Sequence, residues 1–571
     1  MTKTTNAYET ARDQFKTWES QLKQNILLPK SDLMHTYRYY FSEDIDFIET
    51  LQHFACQVAE ALEPVVRENN LDEHLPTLQQ YDAIGERQDV IKHSPLYAKA
   101  GDIIYGSGIM GYLNKPGQML KTLSLFILSS HAGEAGHNCP IACSAGVMRI
   151  LNKYSDLKET GTWIEKLSLP SFQENYTGAQ FLTEIQGGSD VGANASYAYQ
   201  DEEGHWRISG EKWFCSNANA ELILMTARFD QTIAGTKGLG LFLVPSTLAD
   251  GSQNHYRIRR LKQKFGTRSM ATAEIDFKHA LAYPMGKLEQ GINLVMENVL
   301  HLSRIFNAFS VLGMARRAYQ TAYYYALNRS AFEHKILDYP LVKESIATIK
   351  ADNTVMIASV FHMVRLQDDF DLAPEDQKTK EKQLLLRTLA NINKYFTAKY
   401  SVEHIHHCLD VLAGNGTIES FSSLPRLLRD CIVCENWEGT HFVLWMQVLK
   451  DIHRFEVDEI FLSHLRALSE ELTHDLTYKR VFEETIKDLE EAFSNLKTVA
   501  IEEQTLLFKE IVEKMAISLA GLTLALELQD ESASSGKKAC LELFISRHIT
   551  SDKLPFERYT TLLNRVITQS T

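Results

Sequence analysis

Cysteine is scarce in this sequence, and no disulfide framework is visible. Eight cysteines are spread over 571 residues. Small secreted domains that depend on disulfides are dense in cysteine, so this usage excludes that class and favours free thiols in a reducing compartment. The hydrophobic fraction of 44% and the charged fraction of 23% also exclude a disordered or fibrous chain. We therefore expect an ordinary folded protein.

Long apolar runs are also missing. No uncharged run reaches the roughly 18 residues that span a bilayer, and the most apolar stretch, residues 516–528, is too short and ends beside acids. Residues 1–15 contain Glu9 and Asp13 but no apolar block, which is unlike a secretory signal or a transit peptide. These features predict a cytoplasmic protein with no membrane span.

Positive charge is in deficit. The formal net charge is −14 and the pI is near 5.8, so neither a phosphate backbone nor an anionic membrane is the expected partner. The excess acid is concentrated at the C-terminal end, where residues 451–571 contain 22 acidic and 14 basic side chains. We interpret this region as an acidic helical module, with a flexible loop at residues 532–538.

Hydrophobic periodicity divides the chain, which is too long for one core. Residues 43–171 show the spacing of helices throughout. Short runs rich in β-forming residues follow and predict antiparallel strands, and helical spacing then returns after Gly291. The predicted strands include residues 180–183, 205–209, 221–226, 240–244 and 273–277, and the predicted helices include residues 292–328, 341–366 and 379–411.

These patterns predict a mainly α protein with a central β domain. We expect an N-terminal helical domain at 1–178, the β domain at 179–287, a helical bundle at 288–455 and an additional helical domain at 456–571. The interval 413–440 contains three glycines and a proline, which predicts loops. Another helix should begin near His441.

The segment Leu182-Thr-Glu-Ile-Gln-Gly-Gly-Ser-Asp-Val191 follows a predicted strand. Its glycines let the backbone approach a ligand, and Thr183 and Ser189 offer hydroxyls beside free amides. Such a loop suits a ring rich in carbonyls and nitrogens. A plain hairpin turn explains the same residues.

Two further segments are candidates. Gly210-Glu-Lys-Trp-Phe-Cys-Ser-Asn217 could present an aromatic face and a hydroxyl, or it could be an ordinary amphipathic strand. Leu412-Ala-Gly-Asn-Gly-Thr417 and Glu435-Asn-Trp-Glu-Gly-Thr440 lie later in the chain. A single Gly-x-Gly is weak evidence for a binding loop.

Glu438 lies between Trp437 and Gly439 in the last of these segments. A Glu desolvated by apolar neighbours has a pKa raised toward neutrality, which suits a residue that transfers protons. Trp437 could supply such a neighbour, and Glu435 could add like-charge repulsion. Gly439 leaves room for a substrate. Alternatively, Glu438 is only a polar residue before a helix that Thr440 caps.

Taken in order, these segments resemble the signatures of the acyl-CoA dehydrogenase superfamily, and most closely those of its alkylation-response branch. The resemblance covers about residues 181–452. It implies bound FAD, an acyl-CoA substrate and Glu438 as the catalytic base. The cofactor-binding positions that it implies are Leu182, Thr183, Gly188, Ser189, Phe214, Ser216, Arg329, Phe332, Ala413, Gly414, Gly416 and Thr440. The substrate-binding positions that it implies are Ser189, Arg304, Glu438 and Gly439.

The resemblance also implies individual roles. Thr183 would bind the flavin pyrimidine edge, Ser189 would contact the acyl-CoA, Phe214 would pack on the flavin, and Ser216 would lie near flavin N5. Arg329 would reach the FAD pyrophosphate of a neighbouring subunit in a dimer or tetramer; the alternative is a charged helix end. Some relatives carry the base on an earlier helix, at the position of Ser303 here, where serine cannot serve.

The implied reaction is α,β-dehydrogenation of an acyl-CoA in fatty acid metabolism, with an electron-transfer flavoprotein as the electron acceptor. Two alternatives remain open, a DNA-associated flavoprotein and a non-catalytic acyl-CoA binder.

Three other clusters attract attention but favour structural explanations. We interpret Cys431 and Cys434, with Cys139 and Cys143, as structural thiols, not zinc ligands. We expect His404, His406 and His407 to belong to a solvated or satisfied helix. The basic run at residues 257–264 is typical of a strand edge.

Overall fold

The structure, a computed structural model, describes residues 7–24, 26–530, 533–550 and 554–568. The chain forms two compact units. The first, the helical unit, consists of Met1–Ala61, Leu123–Gly133 and Asn307–Thr571. The second, the β-containing unit, consists of Leu62–Thr122 and Glu134–Phe306. The four-domain division predicted above remains a prediction.

Most described residues belong to helices, and two π-helical turns, Val58–Leu62 and Val295–Leu300, lie within longer helical stretches. None of the described helices is long and apolar enough to cross a membrane. The α-helices are α1 (Ala7–Gln24), α2 (Asp32–Tyr40), α3 (Ile45–Gln57), α4 (Glu63–Asn69), α5 (Pro95–Gly106), α6 (Ile109–Leu113), α7 (Met119–Ala132), α8 (Ala135–Tyr154), α9 (Thr160–Ser168), α10 (Gly291–Leu294), α11 (His301–Asn328), α12 (Pro340–Leu372), α13 (Lys380–Leu412), α14 (Leu424–Asn436), α15 (His441–Phe455), α16 (Val457–Glu470), α17 (Leu476–Leu496), α18 (Ile501–Glu527), α19 (Ser535–His548) and α20 (Phe556–Thr568).

The strands form one large sheet and two hairpins. They are β1 (Thr77–Tyr81), β2 (Arg87–Lys92), β3 (Gly178–Phe181), β4 (Tyr197–Gln200), β5 (Trp206–Ser216), β6 (Leu222–Arg228), β7 (Leu239–Pro245), β8 (Tyr256–Leu261), β9 (Thr272–Pro284), β10 (Ser330–Ala331) and β11 (His334–Lys335). The seven-stranded sheet has the order β3-β6-β4-β5-β9-β7, with β8 on β9. Because β6 also pairs with β7, the path closes on itself.

The large sheet contains two strands that are almost completely buried. Every residue of β7 is buried, and β6 is buried up to Arg228, as expected for strands covered on both faces. Phe181, Ile223, Phe242 and Ile275 contribute to the core on one face. Strand β8 instead alternates buried and exposed residues, which places its arginines on the outside.

The prediction of an antiparallel β domain is wrong at two pairings. Strand β3 pairs with β6 in parallel, from Gly178 opposite Leu222 to Phe181 opposite Met225, and β4 also pairs with β6 in parallel, at Tyr197 opposite Arg228. The alternation of apolar residues does not determine strand direction, because it occurs in parallel as well as in antiparallel strands. The chain between β3 and β6 also contains β4 and β5, so the connection is long enough for a parallel pairing.

Three local predictions are also corrected. Residues 77–92 form the β1–β2 hairpin inside the segment expected to be entirely helical. Residues 424–436 form α14 inside the interval expected to be loop, because Pro425 stands in the first turn, where it is compatible with a helix. Residues 535–538 belong to α19, and Lys537 is buried there, so these positions are not a flexible loop; Ser532 lies outside the described residues.

In the helical unit, α12 packs against α13, α18, α19 and α20. This arrangement buries polar side chains that the sequence would place on a solvated face. Asp352, for example, accepts hydrogen bonds from Arg547 Nη1 at 2.9 Å to both oxygens, and lies 3.1 Å from His548 Nε2. Buried charge is tolerated here because it is paired.

Candidate active site

The Leu182–Val191 segment forms a tight loop directly after β3. The backbone N–H of Gly187 donates to the Glu184 carbonyl at 3.0 Å, which makes it a turn as well as a candidate binding loop. A Cβ at position 188 would lie 2.6 Å from Thr183 Oγ1. Glycine is therefore required at this position, because the loop folds back on the Thr183 hydroxyl. Thr183 is half-buried, and Gly188 and Ser189 are exposed.

A buried ion pair holds this loop. Lys212 Nζ donates to Glu184 Oε1 at 2.8 Å, and both side chains are almost completely buried. Glu184 also accepts from the backbone N–H groups of Ala195 at 2.6 Å and of Ser196. Burial alone would raise the pKa of Glu184, but the Lys212 ammonium and these donors outweigh it and lower that pKa. Sequence reasoning missed this pair, although both residues stand inside the motifs.

Strand β5 presents an aromatic surface through a bulge. Lys212 pairs with Ile275 of β9, and Cys215 pairs with Ala273 of β9. The two residues between them, Trp213 and Phe214, therefore lie opposite the single residue Glu274. A bulge redirects side chains, and Phe214 is 53% exposed as a result. The Trp213 N–H donates to the Thr183 carbonyl at 2.9 Å, which ties the two candidate segments together.

Ser216 lies at the end of a chain of hydrogen-bonded polar side chains. Its Oγ lies 3.2 Å from Thr272 Oγ1, which in turn accepts from Lys264 Nζ at 3.0 Å. Lys262 is close by in sequence; its Nζ lies 3.5 Å from the centroid of Trp213 and 2.9 Å from Glu274 Oε1. The ammonium groups of Lys262 and Lys264 therefore lie close to Trp213 and to Thr272, the hydrogen-bond partner of Ser216.

In the helical unit, Glu438 lies in the turn between α14 and α15. Its φ is 58° and that of Gly439 is 105°, so two successive residues are left-handed. A left-handed conformation costs a non-glycine residue on the order of 1 kcal/mol, so the surrounding structure must impose it. The Glu438 side chain is half-buried. Thr440 is the N-cap residue of α15, but its side chain makes no capping bond.

Lys394 of α13 holds this turn by hydrogen bonds to its backbone. Its fully buried Nζ donates to the Glu435 carbonyl and to the Gly439 carbonyl, each at 2.8 Å. The two carbonyls lie on either side of Glu438 in the chain. The strained turn is thus anchored at both ends by one ammonium group, which the sequence did not reveal.

Glu435 does not act as a free carboxylate. Its Oε1 lies 2.8 Å from His441 Nε2. Burial raises the pKa of Glu435, and the Lys394 ammonium opposes that rise. Burial and the charges of Lys394 and Lys399 lower the pKa of His441 to about 4. Trp437 is half-buried against the apolar core, and its indole Nε1 is buried with no hydrogen-bond partner among the described residues.

The Gly-x-Gly segment after α13 contains two different glycines. A Cβ at Gly416 would lie 2.6 Å from the Leu409 carbonyl, so this glycine serves packing against the helix. Gly414 faces open space, with nothing within 4 Å of a Cβ. Ala413 is exposed and left-handed, with φ 51°. Within the segment, Ala413 and Gly414 are therefore adjacent exposed positions where a ligand can approach the backbone.

Arg329 follows α11 at the base of a short hairpin, β10–β11. Its guanidinium lies 5.9 Å from the Phe15 ring. At the hairpin tip, Phe332 and Glu333 both have positive φ, and Phe332 is 89% exposed. Phe332 therefore buries little apolar surface against the described part of the chain.

Ser303 and Arg304 are both buried on α11. Ser303 Oγ donates to Gln180 Oε1 at 3.3 Å, so this position is part of the packing and contains no acid. Cys431 and Cys434 are buried in the apolar core, Cys143 is buried and Cys139 is half-buried. Among the described residues, no group of three or more side chains is arranged to hold a metal ion.

Two other clusters are also explained structurally. His404 Nε2 lies 3.2 Å from Asp352 Oδ2, while His406 and His407 are exposed. The basic run is strand β8 with its charges largely paired. Arg259 pairs with Glu211 and Asp276, and Arg260 with Glu274.

The chain matches three family models along its length. Residues 49–174 match the adaptive response protein AidB N-terminal domain, residues 179–280 the acyl-CoA dehydrogenase middle domain, and residues 289–453 the acyl-CoA dehydrogenase C-terminal domain. The chain belongs to the acyl-CoA dehydrogenase superfamily. The observed fold is that of this family, with extra helices at the C-terminal end.

Two curated relatives of this acyl-CoA dehydrogenase family member are 28% identical to it. Acyl-CoA dehydrogenase family member 11 of Caenorhabditis elegans aligns over 74% of this chain and 68% of its own length. The putative acyl-CoA dehydrogenase AidB of Escherichia coli aligns over 66% of this chain and 69% of its own.

Two solved structures share the fold. Caenorhabditis elegans ACDH-11 in complex with C11-CoA has a TM-score of 0.80 at 24% identity and covers 97% of this chain and 95% of its own. A Bacillus anthracis acyl-CoA dehydrogenase complexed with FAD has a TM-score of 0.69 at 18% identity and covers 92% of each chain.

Proposed function

We propose that this chain is an FAD-dependent acyl-CoA dehydrogenase in which Glu438 is the catalytic base. The observation that carries the proposal is the turn between α14 and α15. There, a glutamate is held in a left-handed conformation before a glycine, and the buried Lys394 binds the carbonyls on either side of it. Strain retained at one position is typical of functional residues.

The residues of the β-containing unit fit a flavin. Thr183 and the exposed backbone of the Gly188–Ser189 turn offer donors to a ring edge, and the glycine-only position at 188 forms a cradle that a Cβ would fill. Phe214 offers an exposed π face, and Ser216 a hydroxyl. We assign the remaining cofactor contacts to Leu182, Arg329, Phe332, Ala413, Gly414, Gly416 and Thr440, of which Gly416 is the weakest because it packs on α13.

In the proposed reaction, Glu438 removes the α-proton of the acyl thioester, and the C–H electron pair forms the new Cα–Cβ double bond as the β-hydrogen leaves as hydride. Bound FAD supplies the acceptor for that hydride. The backbone N–H of Glu438 is proposed to polarise the thioester carbonyl, and Ser189, Arg304 and Gly439 to contact the substrate. Desolvation strengthens such interactions.

The decisive experiment mixes the purified yellow protein with a panel of acyl-CoA thioesters and records flavin absorbance. Bleaching by one chain length is the expected result, and Glu438→Gln should abolish it while FAD remains bound. Glu435→Gln is the matched control, because Glu435 is a neighbouring half-buried carboxylate that is paired with His441. Bleaching that survives in Glu438→Gln would contradict the assignment of the base.

A non-catalytic acyl-CoA binder is the second candidate. The solved ACDH-11 relative was captured with C11-CoA. A binder would take up acyl-CoA, measurable by calorimetry, yet leave the flavin oxidised at every chain length. Binding without bleaching in the wild-type chain would thus favour this function over catalysis.

A DNA-associated flavoprotein, suggested by the likeness to AidB, has less support. The basic strand β8 is paired with acidic residues, and the whole chain has a net charge of −14. Binding to phosphates requires free positive charge and weakens with salt. Duplex binding at low salt would be needed to revive this candidate.

The wider assignments are proposals too. We propose a dimer or tetramer in which Arg329 reaches the cofactor of a neighbouring subunit, an electron-transfer flavoprotein as acceptor, and a cytoplasmic role in fatty acid metabolism. The domain bounds 1–178, 179–287, 288–455 and 456–571 are proposed with them. Gel filtration of Phe332→Ala would test the subunit contact, because this exposed residue lies at the tip of the hairpin that follows Arg329.

A further inference from the structure

The helical unit contains a polar cavity away from the motif residues. Helices α2, α11 and α12 contribute lining residues, and the space between them is partly open to solvent. None of the residues assigned above to the flavin or the acyl-CoA lines this cavity. Its walls combine charged, hydroxyl and apolar groups, which is the composition of a small-molecule site.

Arg316 is the principal charge of the cavity. It is 9% exposed, and its Nη1 donates to the Ile26 carbonyl at 2.6 Å. Within the described part of the chain, no carboxylate lies at ion-pair distance from this guanidinium. A buried arginine usually has an anionic partner, because five donors and a full charge are costly to desolvate. Arg316 instead lines the cavity, so an anion bound there would be its partner.

Two further donors line the same cavity. Lys350 Nζ donates to the Val566 carbonyl at 2.7 Å and lies 3.8 Å from Asp32 Oδ2. The Tyr319 hydroxyl is buried with no hydrogen-bond partner among the described residues. An unsatisfied buried hydroxyl costs free energy, which an acceptor in the cavity would recover.

The charges of the wall specify the ligand. Arg316 and Lys350 contribute two positive charges, and Asp32 contributes one negative charge. The neighbouring Lys537 and Glu527 neutralise each other at 2.6 Å. One positive charge is therefore left uncompensated, which matches a monoanion. A guanidinium binds two oxygens in one plane, so a carboxylate fits better than a spherical halide.

The remaining lining suits a short aliphatic tail. Leu33 and Ile357 contribute apolar side chains, and Tyr323 and Tyr324 contribute aromatic rings. We propose that this cavity binds a small monoanionic carboxylate, with its oxygens on Arg316, Lys350 and the Tyr319 hydroxyl. This inference does not depend on the dehydrogenase activity proposed above.

The test uses the full-length protein and propionate as the probe. Saturation-transfer NMR reports binding directly, and the thermal midpoint should rise saturably with propionate at constant ionic strength. Arg316→Gln should abolish both effects. Tyr319→Phe removes only the hydroxyl and should raise the half-saturating concentration about tenfold, as expected for one bond to a charged group.

Arg317→Gln is the matched control. Arg317 is the next residue of α11, is also buried and also donates to a backbone carbonyl, that of Leu22 at 3.1 Å, but it does not line the cavity. Propionate binding should persist in this variant. The proposal is wrong if wild type shows no saturable signal, if chloride competes as well as propionate does, or if Arg316→Gln still binds. Should Arg316→Gln fail to fold, an unchanged half-saturating concentration in Tyr319→Phe overturns it.

Discussion

Lys394 and Gly439 are joined by a hydrogen bond of 2.8 Å from the lysine ammonium to the glycine carbonyl, and the same ammonium binds the Glu435 carbonyl. The backbone around Glu438 is therefore held by a side chain from α13. Left-handed geometry at a glutamate is unfavourable by itself, so the position of Glu438 depends on this contact.

Lys394→Met tests this dependence. Methionine keeps the apolar stem but removes the donors, so two buried carbonyls lose their partner. We expect a loss of stability of about 2–4 kcal/mol by denaturant titration and a fall in kcat larger than any change in KM. Lys399→Met is the control, because Lys399 is on the same helix but pairs with Glu513. An unaltered kcat in Lys394→Met would show that the turn keeps its geometry without the hydrogen bonds from Lys394.

Glu184→Gln should weaken flavin retention together with stability. The substitution leaves the buried Lys212 ammonium without its anion, which costs about 3–5 kcal/mol. The loop with Thr183 and Gly188 should loosen as well. Equilibrium dialysis of FAD and chemical denaturation measure the two effects. Glu203→Gln, at an exposed turn of the same unit, should change neither; full FAD affinity in Glu184→Gln would refute the link.

Phe214→Ala should separate cofactor binding from folding. Because this ring is 53% exposed, its loss should change the unfolding free energy by less than about 1 kcal/mol. If Phe214 packs on the flavin, the FAD dissociation constant should rise about tenfold or more, as judged by absorbance after gel filtration. Tyr197→Ala, another exposed aromatic of the unit, is the comparison. Equal FAD affinity in both variants would remove Phe214 from the cofactor site.

A pair of buried histidines predicts acid sensitivity. His362 Nε2 and His464 Nε2 lie 3.2 Å apart, on α12 and α16. Burial lowers the pKa of His362 to about 3 and that of His464 to about 4. An unfolded histidine binds a proton below about pH 6.5 whereas this pair stays neutral, so stability is fully present above pH 6.5 and falls as the pH drops toward 4.

His464→Gln keeps a neutral polar group and removes one of these titrations. Wild type should lose on the order of 2 kcal/mol more stability than the variant between pH 7 and pH 5 in urea titrations. His406→Gln, at an exposed position of α13, should behave as wild type. Identical pH profiles for all three proteins would exclude the pair as the cause.

Much of the helical architecture could be predicted from residue order. The predicted helix at 379–411 agrees with α13 within one residue at each end, and the predicted start near His441 agrees with α15. The predicted helix at 292–328 covers α10, the following π-helical turn and α11, and the predicted helix at 341–366 ends six residues before α12 does. Glycine and proline were less dependable guides. Pro425 is typical of a loop but lies in the first turn of α14, and the strands of the β1–β2 hairpin are too short and polar to show a clear strand pattern.

By itself, the sequence determined the family, the mainly α class with a central β domain, and the motif segments, because these depend on local residue types in a fixed order. Only the tertiary structure decided that β3 runs parallel to β6, that Lys394 holds the Glu438 turn, and that Arg316 faces a cavity. The physical reason is that each of these depends on contacts between residues that are distant in the sequence. Partners such as Glu184 and Lys212 are 28 positions apart, and no local pattern signals their pairing.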